Sequence, residues 1–160
     1  MSQLEQWTQL KCKEIIFDST KDNWNKETSS FDSILIGKEK LIFIIETTEN
    51  ITIGGFINTK INQIGKTEDS NCFIFTNKNN QWKKYSIQKD NSQNAFELFP
   101  KEHHMLFAFG NDIIIYKDEM KNKSYVNERK SYFEYEKERK VMIGKIGNFS
   151  IKRIQVIQMK

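Results

Sequence analysis

A chain of 160 residues, 38% hydrophobic and 29% charged, has the length of one domain and enough apolar material for a core, which excludes disorder over most of its length. The net charge of +4 is unevenly spread. From Arg129 onward nine basic side chains face three acidic ones (+6), whereas residues 1–128 come to −2, so the C-terminal fifth is a candidate contact face for something acidic.

Two cysteines, Cys12 and Cys72, exclude a disulfide framework and suit a reducing compartment. Together with His103 and His104 they are too few for a zinc site, so no metal and no cofactor is expected. There is no apolar run of transmembrane length, and the opening "MSQLEQWTQL" is polar. The expectation is an intracellular protein, cytoplasmic and/or nuclear, that does not insert into a membrane.

In chain order, "SQLEQWTQLKCK" spaces Leu4, Trp7 and Leu10 every third residue and predicts a short amphipathic helix. "KEIIFDST" reads as a short strand. Ser29 or Ser30 can cap a helix from Phe31 to Leu35 that stops at Gly37. "KLIFIIET" and "ITIGGFI" form a hairpin, and the unbroken apolar run Leu41 to Ile45 predicts cover on both faces. "NTKINQIGKTEDSN" is a loop. "CFIFT" and "QWKKYSI" pair through the turn "NKNN", and "QKDNSQNAFELFPKEHH" is an irregular excursion. "MLFAFG" and "DIIIY" pair through "GN", and "KDEMKNKSYVNERKS" is a long polar loop. The last segment, "NFSIKRIQVIQMK", switches parity at Lys152-Arg153, which predicts a bulge in a long final strand. The sum is an α+β, mostly β fold: about eight strands in an antiparallel sandwich with short flanking helices, as one domain over 1–160.

For chemistry the sequence offers little. The pair Gly54-Gly55 lacks the spacing and the following Lys-Ser/Thr of a phosphate cradle, so a backbone-packing role, a bend or a close crossing, is favoured. His103 and His104 are adjacent and so would not chelate one metal from an extended segment. No serine sits in a nucleophile elbow, no carboxylate pair stands out, and no catalytic residue is assigned. Cys12 lies in "KCK", where two lysines favour the oxidisable thiolate, so it is the candidate redox-sensitive thiol; Cys72 reads as buried and inert. The candidate basic contact face is Lys130, Lys140, Lys145, Lys152 and Arg153. Lysines interleaved with Tyr132, Phe133, Tyr135 and Phe149 would suit nucleic acid, making DNA an alternative partner for a transcription regulator. Against it, only three of 25 basic residues are arginine, the preferred reader of guanine.

The ordered set of segments resembles the TLDc, or oxidation-resistance, domain family over roughly residues 8–158. Trp24 and Phe31 stand for its aromatic-anchored helix. Gly54, Gly55 and Phe56 end the hairpin, and Phe73 and Phe75 form the Phe-x-Phe strand. Ala108, Gly110 and Asp112 lie in the strand pair, and Phe149, Ile154 and Val156 in the last strand. Less glycine around Gly110, and Gln155 where an acid is often found, depart from the pattern. The resemblance implies two antiparallel sheets flanked by short helices. It also implies a non-enzymatic role in the oxidative-stress response through a protein partner, which in some members is the peripheral part of the vacuolar proton pump. A thiol-based redox protein using Cys12 is the third reading.

Overall fold

The structure is a computed structural model that describes residues 2–127, 131–135, 142–145 and 147–160. The first element is the helix α1 (Ser2–Thr8), shorter than its periodicity suggests. It stops because Gln9 takes a left-handed φ of 58°, and because Lys11 and Lys160 then exchange backbone hydrogen bonds, each N–H to the other's C=O at 2.8 Å. That exchange draws the chain into the sheet, so Cys12 opens the strand β1 (Cys12–Asp18) rather than ending a helix.

The helix α2 (Phe31–Leu35) has the predicted bounds; Ser29 Oγ, not Ser30, accepts from the Phe31 N–H at 3.0 Å. The hairpins follow as β2 (Leu41–Thr47) with β3 (Thr52–Ile57), and β5 (Phe73–Lys78) with β6 (Gln81–Ser86). The β5–β6 turn holds Asn79 and Asn80 both at positive φ, 54° and 64°, the mirror-image turn that matches strand twist. Between the hairpins, the predicted loop contains the short strand β4 (Gly65–Thr67). The irregular excursion contains a 3₁₀ turn, Lys89–Asn94, and β7 (Phe96–Leu98). Then come β8 (Met105–Phe109), β9 (Ile113–Tyr116), a 3₁₀ turn Asp118–Lys123, β10 (Tyr125–Val126), β11 (Gly147–Asn148) and β12 (Ile151–Met159).

Among the described residues these strands make two six-stranded antiparallel sheets: β1-β12-β2-β3-β5-β6 and β11-β10-β9-β8-β7-β4. The sandwich is therefore as expected, with more and shorter strands than the eight read from the sequence. The extra strands hold two or three residues each, too few for an alternating pattern to register.

The core lies between the sheets. Phe43 of β2 meets Phe96, Phe107 and Phe109 of the second sheet at centroid distances of 5.1, 4.9 and 5.3 Å. Phe31 of α2 closes one end against Phe17 at 4.8 Å and Phe107 at 5.4 Å. A second cluster covers the outer face of the first sheet, where Leu4 and Trp7 of α1 pack on Ile42, Phe56, Phe73, Phe75, Ile157 and Met159. The hairpin β2–β3 is thus covered on both faces. In β12 the register against β2 shifts between Ile151 and Arg153, which places the predicted bulge at Lys152. It lets Ile151, Ile154 and Val156 all face the inner core.

The glycine pair does not bend its strand: β3 pairs with β2 and β5 through Gly54 and Gly55 without a register shift. What both positions exclude is a side chain. A Cβ on Gly54 would run into the Phe43 carbonyl oxygen and lie 2.6 Å from the Phe75 ring. One on Gly55 would lie 2.6–2.8 Å from three carbons of Phe109. Gly54 therefore serves a close backbone approach and Gly55 a ring from the opposite sheet. Gly55→Ala is expected to cost about 1–3 kcal/mol in urea unfolding, because the buried ring must move. Combining it with Phe109→Leu should cost less than the two single changes added together.

Candidate functional site

The predicted basic face is only partly visible, since Lys130 and Lys140 lie outside the described residues. Of the other three, Lys145 and Lys152 lie beside the β2–β3 turn and Arg153 is ion-paired. Arg153 turns away from Lys152 and forks onto Asp18 of β1, donating from Nε to Oδ1 at 3.2 Å and from a terminal nitrogen to Oδ2 at 2.6 Å. Asp18 is buried and also accepts from the N–H and hydroxyl of Thr20. The guanidinium beside it holds its carboxyl well below the usual range, and the Arg153 pKa is raised in return. Lys145 is exposed and pairs with Glu49 at 3.8 Å, in the β2–β3 turn. Lys152, on the bulge, is exposed and lines a shallow hollow of about 220 Å³ with Glu46, Thr47, Asn50 and Thr52. Each described member of the face thus has an acidic neighbour. The aromatics expected to stack on bases are also taken: Phe133, Tyr135 and Phe149 are buried in the core, and Tyr132 packs against it.

The two cysteines occupy opposite environments. Cys12 is exposed on the edge strand β1, and its N–H donates to Glu5 Oε1 at 3.0 Å. Glu5 also faces Lys11 at 3.7 Å, and the backbone hydrogen bond from Cys12 is the main cause of its lowered pKa. Cys72 is buried with Sγ 3.9 Å from the Ala95 carbonyl, and burial pushes its thiol well above the ordinary value. His103 accepts from the Met105 N–H at Nδ1 and stacks on Phe99 at 4.8 Å. Among the described residues no group of three His, Cys, Asp or Glu side chains could hold a metal ion, and no helix is long and apolar enough to cross a membrane.

Several buried ionisable groups escaped the sequence reading, and all of them hold loops. Asp69 accepts from the N–H groups of Asn58 and Asn71 at 2.6 and 2.9 Å. Asp112, fully buried, accepts from the Ser131 hydroxyl, the Tyr132 N–H at 3.0 Å and the Tyr135 hydroxyl at 2.7 Å. Gly110 at φ +55° leaves space there: a Cβ would meet Tyr132, Asp112 and Phe133 at 3.0–3.1 Å. Lys117 is 2% exposed and donates its ammonium to the carbonyls of Pro100, Lys101 and His103 at 2.6–2.9 Å, while burial pulls its pKa down. Sequence signals for such groups were the Asp-Ser-Thr run at Asp18 and the Asp-Ser-Asn run at Asp69, both suited to an Asx turn, and the place of Asp112 in the family pattern; Lys117 has none.

Two packed antiparallel sheets, a helix over one outer face, and charged groups committed to securing loops define a β-sandwich module. Its family follows from comparison: a family model for the TLDc domain matches residues 1–158, so the chain belongs to the TLDc family. Among curated proteins, none matches the chain.

Two outcomes follow from this geometry. Asp18 is ionised at a lower pH in the folded than in the unfolded chain, so its pairing stabilises above about pH 4 and is lost as the pH falls below it. Arg153→Gln should lower the melting temperature at pH 7 and flatten its decline between pH 5 and pH 2, whereas Lys152→Gln should leave both unchanged. Brief treatment of the folded protein with iodoacetamide should label Cys12, and Cys72 only after unfolding, as read by peptide mass mapping.

Proposed function

We propose that this chain is a non-enzymatic module of the oxidative-stress response that acts by contact with a protein partner, the peripheral part of the vacuolar proton pump being the first candidate. The observation that carries the reading is the TLDc match over residues 1–158. Supporting it, the buried Asp69, Asp112 and Lys117 are engaged in hydrogen bonds that hold the chain's own loops, which suits a rigid surface presented to a partner. The engagement of Arg153, the pairing of Lys145 and the burial of Phe133, Tyr135 and Phe149 weigh against nucleic acid as the partner.

The test has two arms. In a eukaryotic host lacking its own TLDc proteins, expression of this chain is expected to raise survival under peroxide, and Cys12→Ser is expected to protect equally well. Purified chain mixed with the soluble sector of the vacuolar pump is expected to co-elute with it in gel filtration. Absence of protection would overturn the stress role. Protection lost in Cys12→Ser would move the reading to thiol chemistry. Protection without co-elution would remove the pump as partner.

A further inference from the structure

Beside α1, on the outer face of the first sheet, lies an open groove of about 390 Å³. That volume falls toward the lower end of the roughly 300–1,000 Å³ typical of small-ligand sites. Its floor is Phe56 and Phe73, both 5% exposed, with rings stacked at 5.3 Å. Trp7 forms one wall and meets Phe73 edge-on at 5.9 Å. These rings are pinned by the outer cluster and by α1, so the apolar surface is formed before any ligand arrives.

Lys84 is the one charged residue lining the groove, and no carboxylate lines it. Its ammonium sits 5.2 Å from the centroid of Phe73 and 5.8 Å from that of Trp7, held at the lip by the ring faces. Among the described residues it has no ion-pair partner. Asn58 and Asn71 also line the groove, and both are fixed through their backbone N–H groups on the buried Asp69. Their side-chain amides, with the hydroxyls of Ser70 and Ser86, make no hydrogen bond among the described residues.

An aromatic floor, one unpaired cation and a set of unused neutral donors match a planar ligand with a single negative charge. A dianion such as a phosphate monoester would call for a second cation or a convergent set of backbone N–H groups, and neither lines this groove. We propose that the groove binds a small aromatic carboxylate, the ring packing against Trp7 and the accessible edges of Phe56 and Phe73 and the carboxylate meeting Lys84. The site does not depend on the partner proposed above.

The probe is 2-naphthoate, titrated into the full chain and followed by calorimetry and by amide and indole NMR shifts. Saturable binding is expected, with shifts at the Trp7 indole and at Asn58 and Asn71. The neutral 2-naphthalenemethanol should bind about tenfold more weakly, as expected for loss of a charge-assisted contact. Lys84→Gln should bring naphthoate down to that level, whereas Lys83→Gln should not; both lysines are exposed, so neither change removes core packing. Equal affinity for the acid and the alcohol, shifts confined to other residues, no saturation at millimolar concentration, or unchanged binding in Lys84→Gln would each overturn the proposal. The comparison of the two probes on the unaltered chain stands whatever the variants do.

Discussion

The edge of the Phe109 ring rests on backbone where any other residue would present a side chain. That contact, between β8 of one sheet and Gly55 of the other, sets how closely the sheets approach. Phe43 lies on the neighbouring strand and directly opposite Gly55, and it reaches Phe96, Phe107 and Phe109 from there. Aromatic pairs at these separations stabilise beyond the area they bury. One small position in β3 thus permits a cluster of large rings, and the cluster in turn fixes α2 through Phe31.

Around this apolar centre the charged groups act as local fasteners. Asp18 with Arg153 joins the outermost strand to the final one. Asp69 gathers the turn before β5, Lys117 gathers the loop before β8, and Asp112 holds the segment 131–135. Removing one partner from such a group leaves a buried polar atom exposed to its desolvation cost, so each loop is held more firmly than its length suggests. A surface fixed in this way binds with little ordering cost, as the contact role proposed above requires.

The sequence made the architecture readable wherever apolar residues ran long enough to show a period. Both faces of the β2–β3 hairpin, the Asn-rich turn and the bulge at Lys152 were legible in this sense, because each leaves a mark over several residues. The short strands β4, β7, β10 and β11 were not, since two or three residues carry no period and are held by the sheet they join. Of the basic stretch only part lies among the described residues. Charge counted along a chain ignores pairing: Arg153 forks onto Asp18, while Lys152 beside it is exposed over a hollow that Glu46 also lines. The groove at Trp7 and Lys84 was invisible for a related reason: its residues come from α1, β3, β5, β6 and three loops, and only the fold assembles them.

The final strand β12 lies between β1 and β2, in the interior of its sheet rather than at the edge. The Asp18–Arg153 fork spans 135 positions of sequence. During synthesis β1 therefore emerges long before the strand it must pair with, and β2 is left with one side open. Such a topology has a high contact order and closes late. Until it closes, the apolar run Leu41 to Ile45 stands beside an unpaired edge, the kind of strand that invites pairing with another chain.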